Sequence, residues 1–309
     1  MQPNPELVGV SCSLCGSNHH RLLFKKRGNF YKIPFCIVRC MRCGLVFVNP
    51  RLSDKAITVL YDDDYFKGEG FDPIARYEAG EANALQKKAE AAAVLRTAEL
   101  VTGISPPMKL VDVGCGVGNM LEVASNLGYD VLGIDAAAHA VSMARRRGFN
   151  AICGKLDEIG IDRKFDVAVM TETVEHLPNP KQVVDAVHRA LNPGGWFIIL
   201  TGNVASLEAR LFSSSWEYFK PEGHLSYFSP STMGLLLRQF SYVRIIPFPR
   251  EVARAVLRLA GAFRAPGQGS SNKGVFSFLG RHRLASRMLF NLLSSFESAG
   301  SALIVLARK

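Results

Sequence analysis

Long apolar runs are missing from this chain of 309 residues; none approaches the roughly 18–20 residues needed to span a bilayer. The opening stretch, MQPNPELVGVSC, lacks the basic segment followed by an apolar one that marks an export signal. The two absences together lead to the expectation of a cytoplasmic protein. Acidic residues are scarce toward the C-terminus. Residues 251–309 hold nine Lys and Arg against Glu251 and Glu297, a net +7 out of the whole-chain +10. That balance suggests an acidic substrate, an anionic membrane face or nucleic acid, and the plain alternative is a solvated face. A wholly disordered chain is excluded, because 48% of the residues are hydrophobic and 21% charged, enough to build a core.

Disulfides are not expected either. Seven cysteines are present, an odd number, in a chain with no export signal. Four of them form two knuckles, CSLCG at Cys12 and Cys15 and CMRCG at Cys40 and Cys43. The spacing lets both sulfurs of a pair face one ion, and the glycine allows the tight turn behind them. The segment between, FYKIPFCIVRC, has the composition of strands. Four thiolates in this arrangement resemble a zinc ribbon. Rubredoxin-type iron sites use similar knuckles, so sulfur alone does not choose the metal. Four cysteines complete a tetrahedron, which points to a structural site over residues 1–49 and leaves His19 and His20 unneeded as ligands.

Residues 50–76 read as a connector with a short helix. Residues 77–101, rich in Ala, Leu, Glu and Lys, predict a long helix. Strand and helix patterns then alternate. Strands are expected near 109–113, 130–134, 149–153, 165–170 and 196–201, with helices over 118–127, 137–147 and 180–190. A helix over 231–240, a strand at YVRIIPF and a final strand in SALIVLARK complete the pattern. Such alternation implies a doubly wound, mostly parallel α/β sheet. Residues 251–297 interrupt it as a basic insertion.

The stretch LVDVGCGVGNM follows the first of these strands. A dinucleotide fingerprint would read G-x-G-x-x-G, whereas Gly114, Gly116 and Gly118 are spaced G-x-G-x-G with Asn119 next. No Gly-Lys-Ser/Thr follows, so a Walker loop is absent too. The stretch resembles motif I of class I S-adenosylmethionine-dependent methyltransferases, over roughly residues 77–309. The resemblance implies a Rossmann-like sheet of seven strands and a methyl-donor site. Asp112 would then orient the methionine amino group. Asp135, 21 residues after Gly114 in VLGID, would accept from two ribose hydroxyls, the alternative being a helix N-cap. Members of the family often carry an acidic residue at the second position of the segment that reads GKLDEI here. This chain has Lys155 there, so adenine recognition is placed on the backbone near Leu156, with Asp157 as a substitute or a surface residue.

After the fourth strand comes TETVEHLPNP, where Thr171 and Glu172 would face the methionine end of the donor. An amino-methylating enzyme of the adenine type would show Asn/Asp-Pro-Pro-Tyr/Phe here, and a cytosine C5 enzyme a Pro-Cys pair; neither is present. His176 is read as a base or as packing over the donor. The segment after the fifth strand resembles zinc-containing small-molecule methyltransferases, including sugar C-methyltransferases with Tyr-x-Glu-His before Ser-Tyr-Phe-Ser. In PEGHLSYFS, His224 matches the histidine, while Pro221 and Gly223 replace the Tyr and Glu. That departure favours transfer to a hydroxyl, with His224 as the base, over deprotonation of a sugar carbon; a loop anchor is the competing role. Trp216, Tyr218, Tyr227 and Phe228 would wall the acceptor or simply pack.

The acceptor is expected to be a small molecule, with an anionic sugar or a lipid-linked precursor as the candidates. In REVARAVLRLAGAFR, Val252, Val256, Leu259 and Phe263 share one helical face beside Arg254 and Arg258. Residues 251–264 thus offer a peripheral contact to an anionic membrane, a phosphate-binding cap or ordinary packing. An RNA methyltransferase and a non-catalytic binding module are the rival readings. The missing amino- and C5-methylation motifs weigh against the first, and intact Asp112 and Asp135 against the second.

Overall fold

The computed structural model describes residues 5–61, 65, 71, 81–160, 163–248 and 300–309. The basic insertion, including 251–264, lies outside the described residues, as does most of the connector beyond residue 61. Strands β1 (Leu7–Val8), β2 (His20–Arg27), β3 (Pro34–Cys40), β4 (Val46–Val48) and β5 (Arg51–Leu52) open the chain. Helix α1 (Asp54–Val59) starts at Ser53, whose side chain accepts from the Ala56 amide, and α2 (Glu81–Thr102) is the long helix that composition predicts.

Alternation follows through β6 (Lys109–Val113), α3 (Asn119–Leu127), β7 (Asp130–Asp135), α4 (Ala138–Arg146), β8 (Ala151–Cys153) and β9 (Phe165–Thr171). It continues through α5 (Pro180–Ala190), β10 (Leu191–Gly202), α6 (Leu207–Phe212), β11 (Ser226–Tyr227), α7 (Pro230–Leu236), β12 (Tyr242–Phe248) and β13 (Ala302–Arg308). The helix boundaries are written locally. Asn179 caps α5 by accepting from the Gln182 amide, with Pro180 filling the first turn, and Ser229 and Thr232 form a reciprocal capping box on α7.

The seven-stranded sheet has the order β12-β13-β10-β9-β6-β7-β8. Pairs among β6 to β10 are parallel, and β13 runs antiparallel between β10 and β12. Strand β6 is buried beyond its first residue, as expected where helices cover both faces of a parallel sheet. On one face Ala91, Val94, Leu95 and Ala98 of α2 pack against Leu110, Val167, Ile198, Leu200 and Leu306. Strand β10 begins earlier than its apolar run suggests. Leu191 pairs with Phe165, and the register shifts before Trp196, across a segment where Gly194 has φ +78°.

Order in the sheet reverses between β6 and β9, the first and fourth strands in sequence. Ligands of open α/β sheets bind beyond the carboxyl ends of strands at such a switch point. The glycine-rich stretch leaves β6 there. A second sheet, β11-β4-β3-β2, is built mostly from the cysteine-containing region, yet its edge strand β11 comes from residues 226–227. Phe35, Ile37, Val46 and Val48 share a buried cluster with Trp216, Tyr218, Phe219, Leu225 and Tyr227. No helix among the described residues is long and apolar enough to cross a membrane.

Candidate active site

The loop after β6 is a tight turn. The Gly114 and Cys115 amides both donate to the Ile134 carbonyl, at 2.8 and 3.1 Å. Gly114, Gly116 and Gly118 have φ of +81°, +51° and +88°, left-handed values that side chains with a Cβ seldom adopt. Asp135, at the end of the neighbouring strand, fastens this turn. Its Oδ2 accepts from the Gly116 amide at 2.8 Å and its Oδ1 from the Ala137 amide at 2.9 Å. An ionised carboxylate has about four lone-pair sites, so two remain for a ligand. Asp135 is not the N-cap of α4: that position is Ala137, and no side chain caps the helix.

Asp112 lies beside them, paired in register with Gly133 and Val169. It is 1% exposed, and its Oδ1 has no hydrogen-bond partner. Burial, reinforced by the charge of Asp135, pushes its acid up to about 8. A buried carboxyl without a partner is costly unless a cation or donor meets it. An amino acid ammonium group is a fitting partner, so the orphaned oxygen suits an amine-bearing cofactor. Burial also raises the acid of Asp135, against the pull of the Ala137 and Gly116 amides.

Register brings Thr171 to the end of β9, opposite Leu200. Glu172 follows with φ +51°, a strained value at the mouth of the switch point. Beyond β8, the Leu156 side chain is buried in the main core. Lys155 turns away to Glu158 at 2.8 Å. Asp157, by contrast, has a buried Oδ1 with no partner.

A second cluster forms where the 174–176 turn meets residues 218–224. His224 is 3% exposed, and its Nδ1 lies 2.7 Å from the Tyr218 carbonyl. The carbonyl only accepts, so Nδ1 carries the proton, and in the neutral ring Nε2 holds the lone pair. His176 meets His224 edge to face with ring centres 4.6 Å apart. Its Nδ1 lies 2.8 Å from the Tyr61 hydroxyl and 3.0 Å from the Gly223 carbonyl. Fully buried Glu175 accepts from Thr201 Oγ1 at 2.9 Å and from the Tyr218 hydroxyl, which itself accepts from the Gly202 amide at 2.8 Å. The ligand atoms of Glu175, His176 and His224 lie within 4.8 Å of one another. Tyr227 is buried with no partner for its hydroxyl, and burial holds its phenol well above the usual range.

Cys12, Cys15, Cys40 and Cys43 converge, with their sulfurs within 4.8 Å of one another. Cys12 and Cys43 are 3.5 Å apart, as are Cys15 and Cys40. A tetrahedral zinc with Zn–S near 2.3 Å places its sulfurs about 3.8 Å apart, so the donor set fits. Both knuckles close in the same way, Gly16 donating to Cys12 and Gly44 to Cys40 through the backbone.

A family model for a methyltransferase domain matches residues 64–243, more than half of the chain. The chain belongs to this methyltransferase family. A ubiquinone biosynthesis O-methyltransferase of Paraburkholderia phymatum is 35% identical over 108 residues, 32% of this chain and 47% of that protein. One from Hydrogenovibrio crunogenus is 26% identical over 204 residues, 62% of this chain and 75% of the relative. The chain thus spans about half the length of the first of these relatives. The plantazolicin methyltransferase BpumL, solved with a triazolic desmethylPZN analog and SAH, is similar in fold with a TM-score of 0.52. It is 19% identical, and the match covers 83% of this chain and 99% of BpumL.

Within the methyltransferase domain, Asp112, Gly114, Gly116, Gly118, Asp135 and Thr171, the residues expected at the methyl donor, gather at the ends of adjacent strands. His176 and His224 gather on the loops after β9 and β10. Tyr61, Thr201 and Glu222 were not singled out by residue type or spacing. Only the position of Glu222 inside PEGHLS, two residues before His224, offered a signal.

Proposed function

We propose that this protein is an S-adenosylmethionine-dependent methyltransferase acting on a hydroxyl of a small-molecule acceptor, with His224 as general base. The observation that carries the reading is the Nδ1 contact of His224 with the Tyr218 carbonyl, which puts the proton of the neutral ring on Nδ1 and its lone pair on Nε2. When bound, S-adenosylmethionine supplies an electrophilic methyl group on a sulfonium. Asp112 would hold its ammonium and Asp135 its ribose hydroxyls. The Gly114–Gly118 backbone approaches closely because no side chains intervene. Asp157, with its orphaned buried oxygen, supports an adenine contact beside the backbone of Leu156. His224 Nε2 would take the proton of the acceptor hydroxyl, whose oxygen receives the methyl group that the cofactor supplies. His176 packs against the base and orients it.

Support for oxygen as the acceptor atom comes from the relatives, which are named O-methyltransferases. An anionic sugar or a lipid-linked precursor is the acceptor class that the basic C-terminal segment favours. The cysteine cluster is assigned to structural zinc, on its closed set of four sulfurs. Purified protein is expected to carry one zinc per chain by elemental analysis, and Cys40→Ser to lose it together with order in residues 5–52. Metal-free protein that keeps this region folded would overturn the zinc assignment.

The donor site is tested by calorimetric titration with S-adenosylhomocysteine. One-to-one binding is expected for the wild type, weakened about 10- to 100-fold in Asp135→Ala, the scale of a lost pair of charge-assisted hydrogen bonds. A folded wild type that takes up no S-adenosylhomocysteine would sink the reading.

A further inference from the structure

Glu222 stands two residues before His224 and is 2% exposed. A carboxylate so deeply buried must be met by donors. Its donors are three consecutive backbone amides of the cysteine-containing module. Asn29 donates at 2.6 Å, Phe30 at 2.9 and 3.0 Å to the two oxygens, and Tyr31 at 2.6 Å. Successive amides aimed at one anion form a nest, a recurrent anion cradle of backbone N–H groups. The nest lies in the turn between β2 and β3, closed by the Gly28 amide on the Ile33 carbonyl at 2.9 Å. A Cβ at residue 28 would run into the Glu222 carboxyl group and displace it.

Other contacts join the same two regions. Lys26 Nζ donates to the Ser214 and Trp216 carbonyls at 2.9 and 3.0 Å. The Val48 amide donates to Leu225 at 3.0 Å, next to the β4–β11 pairing. On the far side of Glu222, the Gly223 carbonyl meets His176 Nδ1, and the His224 amide donates to Lys220 at 2.8 Å. The peptide that Glu222 anchors is therefore the one that holds both imidazoles.

We infer that Glu222 is a positioning residue. It clamps the 220–224 turn to the 29–31 amides, and through that turn it sets the orientation and tautomer of His224. The cysteine-containing module is then a structural half of the acceptor side of the site. The inference rests on the reading of His224 as the base.

The test uses full-length, metal-loaded protein with 15N-labelled histidine, as wild type, Glu222→Gln and Gly28→Ala. The second variant attacks the clamp from the module's side, outside the site itself. Amide exchange at Asn29, Phe30 and Tyr31 is expected to quicken about tenfold or more in both variants. The His224 ring is expected to lose the wild-type signature of a protonated Nδ1, while S-adenosylhomocysteine affinity stays near the wild-type value, since Asp112 and Asp135 lie on strands β6 and β7, away from the 220–224 turn. Faster exchange with an unchanged ring signature would reduce Glu222 to a staple and overturn the inference, as would unchanged exchange. The ring and amide readings are taken without cofactor. They decide the clamp independently of whether the wild type binds S-adenosylhomocysteine, a failure that would strike the proposed activity instead.

Discussion

Replacing His224 by Asn is expected to lower kcat about 10²- to 10⁴-fold, the usual contribution of a positioned general base. The substitution separates the two roles open to this residue. An asparagine amide can still donate to the Tyr218 carbonyl that holds Nδ1 at 2.7 Å. The loop anchor is therefore kept and the basic nitrogen lost. His224→Ala removes both. If His224 is the base, the two variants fall together in kcat, and S-adenosylhomocysteine affinity is unchanged in the asparagine form. If it is only an anchor, the asparagine variant keeps its activity and the alanine variant does not. Release of S-adenosylhomocysteine from S-adenosylmethionine, followed over a panel of small hydroxyl acceptors, gives the rates. His176→Asn is the comparison. Its ring touches His224 edge-on and its Nδ1 is engaged by Tyr61 and Gly223, so a smaller loss of about tenfold is expected for an orienting residue.

Much of the donor side is legible in the sequence because it is local. The glycine turn, the strand before it and the helix after it lie within residues 109–127, and Asp135 closes the next strand. Hydrophobic runs and helix caps mark these elements without reference to the rest of the chain. The acceptor side is less legible because its contacts span the molecule. Tyr61 reaches His176 across 115 positions, and Glu222 reaches Tyr31 across 191. Strand β11 has two residues, too few to show alternation, and it exists because β4 offers it an edge. A module counted as residues 1–49 from its cysteines thus takes a fourth strand from residue 226 onward. The segment proposed to meet adenine shows the same limit. Lys155 occupies the position where an acid is common, and nothing in GKLDEI says that Asp157 turns a buried, unpaired oxygen inward.

Affinity for S-adenosylhomocysteine is expected to rise with pH, roughly 50-fold between pH 6 and pH 8. The cause is Asp112, whose acid is raised by burial first and by Asp135 second, to about 8. In the cofactor-free protein Asp112 is mostly protonated at neutral pH, whereas the ligand's ammonium requires the carboxylate. Binding below pH 8 therefore expels a proton, and titrations at pH 7 in buffers of different ionisation heat should report release of nearly one. The same shift has a consequence for stability. Between the unfolded value of 3.8 and the folded value of about 8, the native state holds the proton more tightly than the unfolded chain does. This contribution thus falls as pH rises through that window and is level above it. With S-adenosylhomocysteine bound, the ammonium stabilises the carboxylate, and the fall in Tm with pH should flatten. Asp112→Asn keeps the shape and removes the titration. Its affinity is expected to be independent of pH over this range and about 10²- to 10³-fold below that of the wild type at pH 8, the scale on which a buried charge loses its partner. An affinity for the wild type that does not change between pH 6 and pH 8 would mean that Asp112 is not the ammonium's partner, and the orphaned oxygen would then need another donor.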